Sequence, residues 1–133
     1  CSVRRQRQMC IRDSFISVLI SHCTKEMINF IKSIDNVKRE FSHSAYIGDL
    51  LVTTYSKHSR NRTFGEMIGK GMPVKKAISK MSMIVEGYYA TKNAYEISKS
   101  KNMNFEIIKV VYEILYNNKN AELELKLLAE KLN

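Results

Sequence analysis

The residues best suited to chemistry lie between Gly48 and Gly71, in the stretch GDLLVTTYSKHSRNRTFGEMIGKG. Ser59, Arg60 and Asn61 occupy consecutive positions where the pattern predicts the start of a helix. The free N–H groups and the dipole of a helix amino terminus attract an anion. The serine hydroxyl and the asparagine amide add polar contacts, and a guanidinium can bind two phosphate oxygens at once. This cluster predicts a phosphate site, with a capped helix and solvated arginines as the alternative.

Three more polar residues could complete such a site. Asp49 and Thr53 are four positions apart, so in a helix they share one face and can contact a polyol together. Alternatively, Asp49 only stabilises the start of its own helix. Glu86 follows an apolar triplet and precedes Gly87, where it either caps a helix or faces the hydroxyl groups of a ligand.

Hydrophobic spacing predicts that helices alone position these residues. Apolar residues recur at intervals of three and four, and no segment alternates strictly as a strand does. One proline and five glycines also disfavour a turn-rich all-β fold. We therefore expect an all-α bundle of about six to eight helices, capped at Ser14, Ser59 and Asn120. The predicted helices cover residues 15–34, 48–56, 60–68, 74–81, 86–100, 105–115 and 120–132, with a further short one near 37–41.

The composition favours an anionic ligand and disfavours several classes of protein. The formal net charge is +9, which suits phosphorylated or polyanionic partners. No apolar run reaches the roughly 18 residues of a membrane-spanning helix, and we find no secretory signal. The three cysteines form no CxxC pair and the three histidines are widely spaced. We therefore predict a cytoplasmic protein with no disulfide framework and no metal site.

Residues 1–14, CSVRRQRQMCIRDS, differ from the rest of the chain. They hold four arginines and show neither helical nor strand periodicity. A nucleic-acid-binding arm, a disordered tail and non-native sequence are the three interpretations. We favour the third, because the string resembles translated sequencing-adapter sequence. We therefore expect the native domain to begin at residue 15 and to continue a longer protein upstream.

Four segments together resemble one family in order and spacing: GDLLVTT, SKHSRNRTFGEMIGKG, MIVEGYYATKNAYEISK and FEIIKVVYEILYNNK. That family is the bacterial NAD(P)-dependent glycerol-3-phosphate dehydrogenases, and the likeness is to their helical carboxy-terminal domain, over residues 15–133. It implies the fold of the carboxy-terminal domain of 6-phosphogluconate-dehydrogenase-like proteins. It also implies a homodimeric parent enzyme that interconverts dihydroxyacetone phosphate and sn-glycerol 3-phosphate with NAD(P)H, for glycerophospholipid synthesis.

The resemblance further implies roles for individual residues. The positions that match contacts to glycerol 3-phosphate are Asp49, Thr53, Ser59, Arg60 and Asn61. The positions that match contacts to the nicotinamide cofactor are Arg60, Ile84 and Glu86.

Two parts of the family pattern are not found in this sequence. The glycine-rich cofactor domain is absent, and no residue matches the lysine that acts as general acid and base near the start of the helical domain. Lys25 lies too late in the pattern for that role. We therefore expect this chain alone to bind a phosphate ester weakly and to lack dehydrogenase activity. The alternative functions are a basic helical module that binds nucleic acid and a non-catalytic dimerisation scaffold.

Overall fold

The computed structural model describes residues 2–34 and 47–132, and in these ranges the chain forms seven helices and no strand. The expected all-α class is confirmed. The six helices after the first begin and end within about one residue of their predicted bounds. None of the helices in these ranges combines the length and the apolar character needed to cross a membrane. In chain order the helices are α1 (Ser2–Ile34), α2 (Asp49–Tyr55), α3 (Arg60–Gly69), α4 (Val74–Lys80), α5 (Glu86–Ser100), α6 (Glu106–Tyr116) and α7 (Ala121–Leu132).

Helix α1 begins much earlier than the sequence predicted. Its first residue is Ser2, so the prediction that Ser14 caps a helix starting at Phe15 is wrong. Residues 2–13 contain no proline or glycine and are rich in arginine and glutamine, which are strong helix formers, so the helix continues through the capping signal. That residues 1–14 are non-native stays a prediction. The short helix predicted near residues 37–41 lies outside the described residues.

One hydrophobic cluster anchors the starts of α3 and α5, where predicted site residues 59–61 and 86 lie. Phe64 lies one turn after the first residue of α3, and Val85 lies directly before α5; both are buried in this cluster. Leu19 of α1 packs against it from the side. Because both starts are fixed to the same core, they are held close to each other. The buried members are Phe64, Ile68, Val74, Ala77, Val85, Val110, Ile114, Leu115 and Leu128.

Four tyrosines stack between α5 and α6. Ring centroids are 4.6 Å apart for Tyr88 and Tyr116, 5.0 Å for Tyr116 and Tyr112, and 3.9 Å for Tyr112 and Tyr95. The Tyr116 hydroxyl donates to the Tyr88 carbonyl oxygen at 2.6 Å. Burial, with the neighbouring tyrosines, raises the pKa of Tyr116 to about 12. The stack packs α6 against α5 from Tyr88 to Tyr95, so these rings contribute to the packing of the two helices.

A carboxylate of α1 caps α6 from a position 81 residues earlier in the sequence. Glu26 accepts from the Ile107 N–H at 3.0 Å (Oε1) and 3.1 Å (Oε2), and from the Ile108 N–H at 3.3 Å. The first N–H groups of a helix have no partner within it, and Phe105, the residue before α6, provides no side-chain acceptor. Burial raises the pKa of Glu26, although these two N–H groups act to lower it. The contact therefore docks α1 on α6 at the expense of desolvating a charge.

Removing this cap should destabilise the fold. We expect Glu26→Ala to lower the free energy of unfolding by about 1–3 kcal/mol, because two backbone donors lose their acceptor. Glu26→Gln should cost less, since its amide oxygen still accepts. A raised pKa means that the folded state binds the proton more tightly, so wild type should lose stability relative to Glu26→Gln as the pH rises from the ordinary value of 4.5 upward. Urea titrations at acidic and neutral pH measure both effects, and an Ala variant as stable as wild type would contradict the cap.

Candidate functional site

Most of the predicted site residues lie in one cleft of about 300 Å³, which we call the anion cleft. It forms where the end of α2 and the turn after it meet the first residues of α3 and α5. The cleft is open to solvent, so a small polar ligand can enter it without rearrangement of the helices. Its lining residues are Val52, Thr53, Ser56, His58, Ser59, Arg60, Asn61 and Glu86.

The amino terminus of α3 opens onto the anion cleft. Ser59 has an extended backbone and its Oγ accepts from the Arg62 N–H at 3.3 Å, so the predicted cap is confirmed. The Ser59 carbonyl oxygen accepts from the Thr63 N–H at 3.0 Å and from its hydroxyl at 3.1 Å. These bonds fix the first turn of a 10-residue helix whose positive dipole end lies at the cleft.

Arg60 joins the anion cleft to the segment before α5. Its Nη1 donates to the Ile84 carbonyl oxygen at 3.1 Å. A guanidinium carries five donors in a planar fork, so this bond leaves most of the fork available to a ligand. The guanidinium is therefore held at the wall of the cleft while still able to bind an anion in bidentate fashion.

Asn61 makes the matching contact on the other side of Glu86. Its Oδ1 accepts from the Gly87 N–H at 3.1 Å. A side chain at position 87 would interfere, because a Cβ built there lies 2.7 Å from Asn61 Oδ1 and 2.9 Å from its Cγ. Glycine at this position thus leaves room for the Asn61 carboxamide at the start of α5.

Two predicted site residues do not line the anion cleft. Asp49 is the first residue of α2 and is exposed; it lies one turn before Thr53 on the same face, as the spacing predicted. The Ile84 side chain is 68% exposed and lines a neighbouring apolar hollow that includes Met83 and Tyr89. Arg60 connects the two hollows through the Ile84 carbonyl oxygen.

Sequence reasoning missed three lining residues: Val52, Ser56 and His58. The first two follow Asp49 at helical spacing, so the face of α2 that carries Thr53 could have indicated them. His58 lies in the turn between α2 and α3, where its backbone N–H donates to Ser56 Oγ at 3.2 Å. No periodicity places a turn residue, so its position in the cleft follows only from the tertiary structure.

The charges in the anion cleft are mixed. Arg60 contributes a permanent positive charge, His58 an imidazole and Glu86 a carboxylate. This combination suits a ligand with an anionic end and neutral hydroxyl groups, since the carboxylate can accept from hydroxyls while the guanidinium binds the anion. Within the described ranges, no group of three histidine, cysteine or acidic side chains is placed to hold a metal ion.

The fold and the cleft together define an all-helical domain with a polar cleft at the amino terminus of α3, lined by one guanidinium and one carboxylate. The family described as NAD-dependent glycerol-3-phosphate dehydrogenase C-terminus matches residues 6–126, and the chain belongs to this family. The resemblance seen in the sequence is thereby confirmed. The matched range begins ahead of residue 15, where the sequence-based boundary was set.

Individual relatives that the chain matches are named glycerol-3-phosphate dehydrogenase [NAD(P)+]. The chain is 38% identical over 110 residues to a glycerol-3-phosphate dehydrogenase [NAD(P)+] of Chlorobium phaeobacteroides, covering 83% of this chain and 33% of the relative. It is 37% identical over 110 residues to that of Halothermothrix orenii, covering 81% and 32%. It is 46% identical over 72 residues to that of Staphylococcus aureus, covering 54% and 22%. The chain thus spans about a third or less of the length of these relatives, and no solved structure matches it.

Proposed function

We propose that the anion cleft binds the phosphate end of glycerol 3-phosphate and dihydroxyacetone phosphate. The observation that carries this proposal is the convergence of Ser59, Arg60 and Asn61 with Glu86 in one cleft, in a chain of this family. Because the chain spans about a third of the relatives' length, we propose the reaction itself for a longer parent protein. That parent interconverts the two phosphates with NAD(P)H and supplies glycerophospholipid synthesis.

The phosphate group is bound by the amino terminus of α3. Arg60 provides charge and paired donors, and the Asn61 amide provides a neutral N–H donor. The Ser59 hydroxyl can donate its proton to a phosphate oxygen while its Oγ continues to accept from the Arg62 N–H. The helix dipole adds a favourable field at the same point.

The glycerol end of the ligand extends toward α2. The Thr53 hydroxyl lines the cleft there, and Asp49 lies one turn earlier on the same helical face. A carboxylate and a hydroxyl spaced in this way can hydrogen-bond neighbouring hydroxyl groups of a polyol. This arrangement supports a short phosphorylated polyol as the ligand rather than inorganic phosphate.

The nicotinamide cofactor of the parent would contact Arg60, Ile84 and Glu86. The residues present fit that group: Ile84 offers an exposed apolar surface in the neighbouring hollow, and Glu86, in the anion cleft, offers an exposed carboxylate for hydroxyl or amide donors. When bound, the cofactor supplies the hydride. By resemblance, we assign the proton to a lysine of the parent.

Titration of the purified chain with glycerol 3-phosphate tests the proposed ligand. We expect saturable binding with a Kd of about 1–10 mM, since only part of the complete site is present. Amide NMR signals of residues 59–61 should shift most. Glycerol should not reproduce these shifts, and inorganic sulfate should compete for them.

The same preparation tests the expectation that the chain alone lacks dehydrogenase activity. Oxidation of NADH with dihydroxyacetone phosphate should stay at the level of a protein-free control. Absence of any NMR shift at about 100 mM glycerol 3-phosphate, roughly tenfold above the upper end of the expected Kd range, would refute the proposed ligand. For the parent we propose a cytoplasmic homodimer, which light scattering after size-exclusion chromatography would test.

A further inference from the structure

The start of α5 depends on an acceptor from outside the helix. The residue before the helix, Val85, has an extended backbone and provides no side-chain cap. The Gly87 N–H is one of the first donors of α5, which have no partner within a helix. It donates instead to Asn61 Oδ1, on a residue 26 positions earlier in the sequence. Asn61 therefore acts as a remote cap of α5.

This contact is one of a pair. Arg60 bonds the Ile84 carbonyl oxygen and Asn61 bonds the Gly87 N–H, so two neighbouring side chains of α3 hold the chain on both sides of Glu86. One contact uses a donor of α3 and the other an acceptor. Together they fix both the distance and the direction in which the segment before α5 meets α3.

We propose that Asn61 is a positioning residue of the anion cleft, which sets the place of Glu86 through the Gly87 N–H while its Nδ2 faces the ligand. Of this inference, only the statement that Nδ2 faces the ligand rests on the proposed function. Among the described residues, none accepts a hydrogen bond from Nδ2. One carboxamide thus serves two helices: its oxygen orders α5, and its N–H₂ group remains for an anion at the amino terminus of α3.

The contact between Asn61 and the start of α5 also depends on glycine at position 87. The atoms that a Cβ would meet are the end of the Asn61 side chain, which can rotate away. Gly87→Ala should therefore cost little stability but should displace the carboxamide from both of its roles. Gly65 of α3 is the matched control, because a Cβ there meets nothing within 4 Å. Gly65→Ala should raise the Tm, as alanine in a helix does, and leave the cleft unchanged.

The test compares Asn61→Ala, Asn61→Asp and Gly87→Ala by solvent-exchange NMR of the amide at position 87, without ligand. Asn61→Ala should make the Gly87 amide exchange roughly 3- to 10-fold faster, because its acceptor is gone. Asn61→Asp should retain protection, because a carboxylate oxygen still accepts. Gly87→Ala should lose the protection of this amide from exchange. Asn93→Ala, an exposed asparagine of α5, is the control and should match wild type.

Titration with glycerol 3-phosphate then separates the two roles. Asn61→Asp should keep the position of α5 yet bind at least roughly tenfold more weakly, because it replaces an N–H donor with a negative charge. Asn61→Ala should bind roughly 3- to 10-fold more weakly. Unchanged Gly87 protection in Asn61→Ala would overturn the positioning role. A wild-type chain that binds no glycerol 3-phosphate would instead overturn the proposed function, and the exchange result would still decide the role of Asn61.

Discussion

Replacing Arg60 with glutamine is expected to weaken binding of glycerol 3-phosphate by about 10- to 100-fold. A hydrogen bond to a charged group contributes roughly 1.5–3 kcal/mol, and this side chain brings a permanent positive charge to the lining of the anion cleft. Arg60→Lys should fall between wild type and Arg60→Gln, since it keeps the charge but loses the planar fork. Ligand titration followed by amide NMR measures all three affinities.

The control for Arg60 must remove a positive charge without touching the cleft. Lys76 is exposed on α4 and does not line it, so Lys76→Gln should change the affinity by less than about twofold, through screened long-range charge alone. Arg60 also bonds the Ile84 carbonyl oxygen, so the stability of Arg60→Gln should be measured in parallel. Equal affinities for Arg60→Gln and Lys76→Gln would remove Arg60 from the site.

Replacing Leu128 with alanine is expected to lower the free energy of unfolding by about 2–5 kcal/mol. Leu128 is only 1% exposed and belongs to the cluster that α3 and α6 share with α7. Its removal leaves a cavity that these helices cannot close without moving. Since a domain of this size is stable by only about 5–15 kcal/mol, the loss should be plain in a urea titration.

The preceding residue provides the matched control. Leu127 is 46% exposed, so Leu127→Ala should change stability by no more than about 0.5 kcal/mol. The two variants delete the same atoms from adjacent positions of one helix. A similar loss for both would mean that α7 is not packed through Leu128 as the structure shows.

The sequence places the leucines of α7 on a helix but does not predict which of them are buried. The helix begins where Asn120 was predicted to cap it, with Asn120 Oδ1 accepting from the Leu123 N–H at 3.0 Å. Helical spacing puts four of its leucines on one apolar face: Leu123, Leu127, Leu128 and Leu132. Only Leu128 of these four is fully buried, while Leu123 and Leu127 are about half exposed. Spacing places residues on a helix, but which side is covered depends on the neighbours.

The predicted start of α1 was wrong for a different reason. Serine is a common amino-terminal cap, but Ser14 can mark the start of a helix only if the residues before it are not helical. The residues from Ser2 onward do not, because strong helix formers precede Ser14 without a glycine or proline. The helix propensity of residues 2–13 therefore outweighs the capping tendency of Ser14.

By itself, the sequence determined the helices after α1, the Ser59 and Asn120 caps, and the Ser59-Arg60-Asn61 cluster that indicates a phosphate ligand. These features depend on hydrogen bonds and propensities that act within a few residues. Only the tertiary structure decided that Glu86 joins that cluster, that Asn61 caps α5 from 26 residues away, and that Glu26 caps α6 from 81 residues away. Contacts of that kind depend on how the helices pack around the common core, which no local pattern encodes.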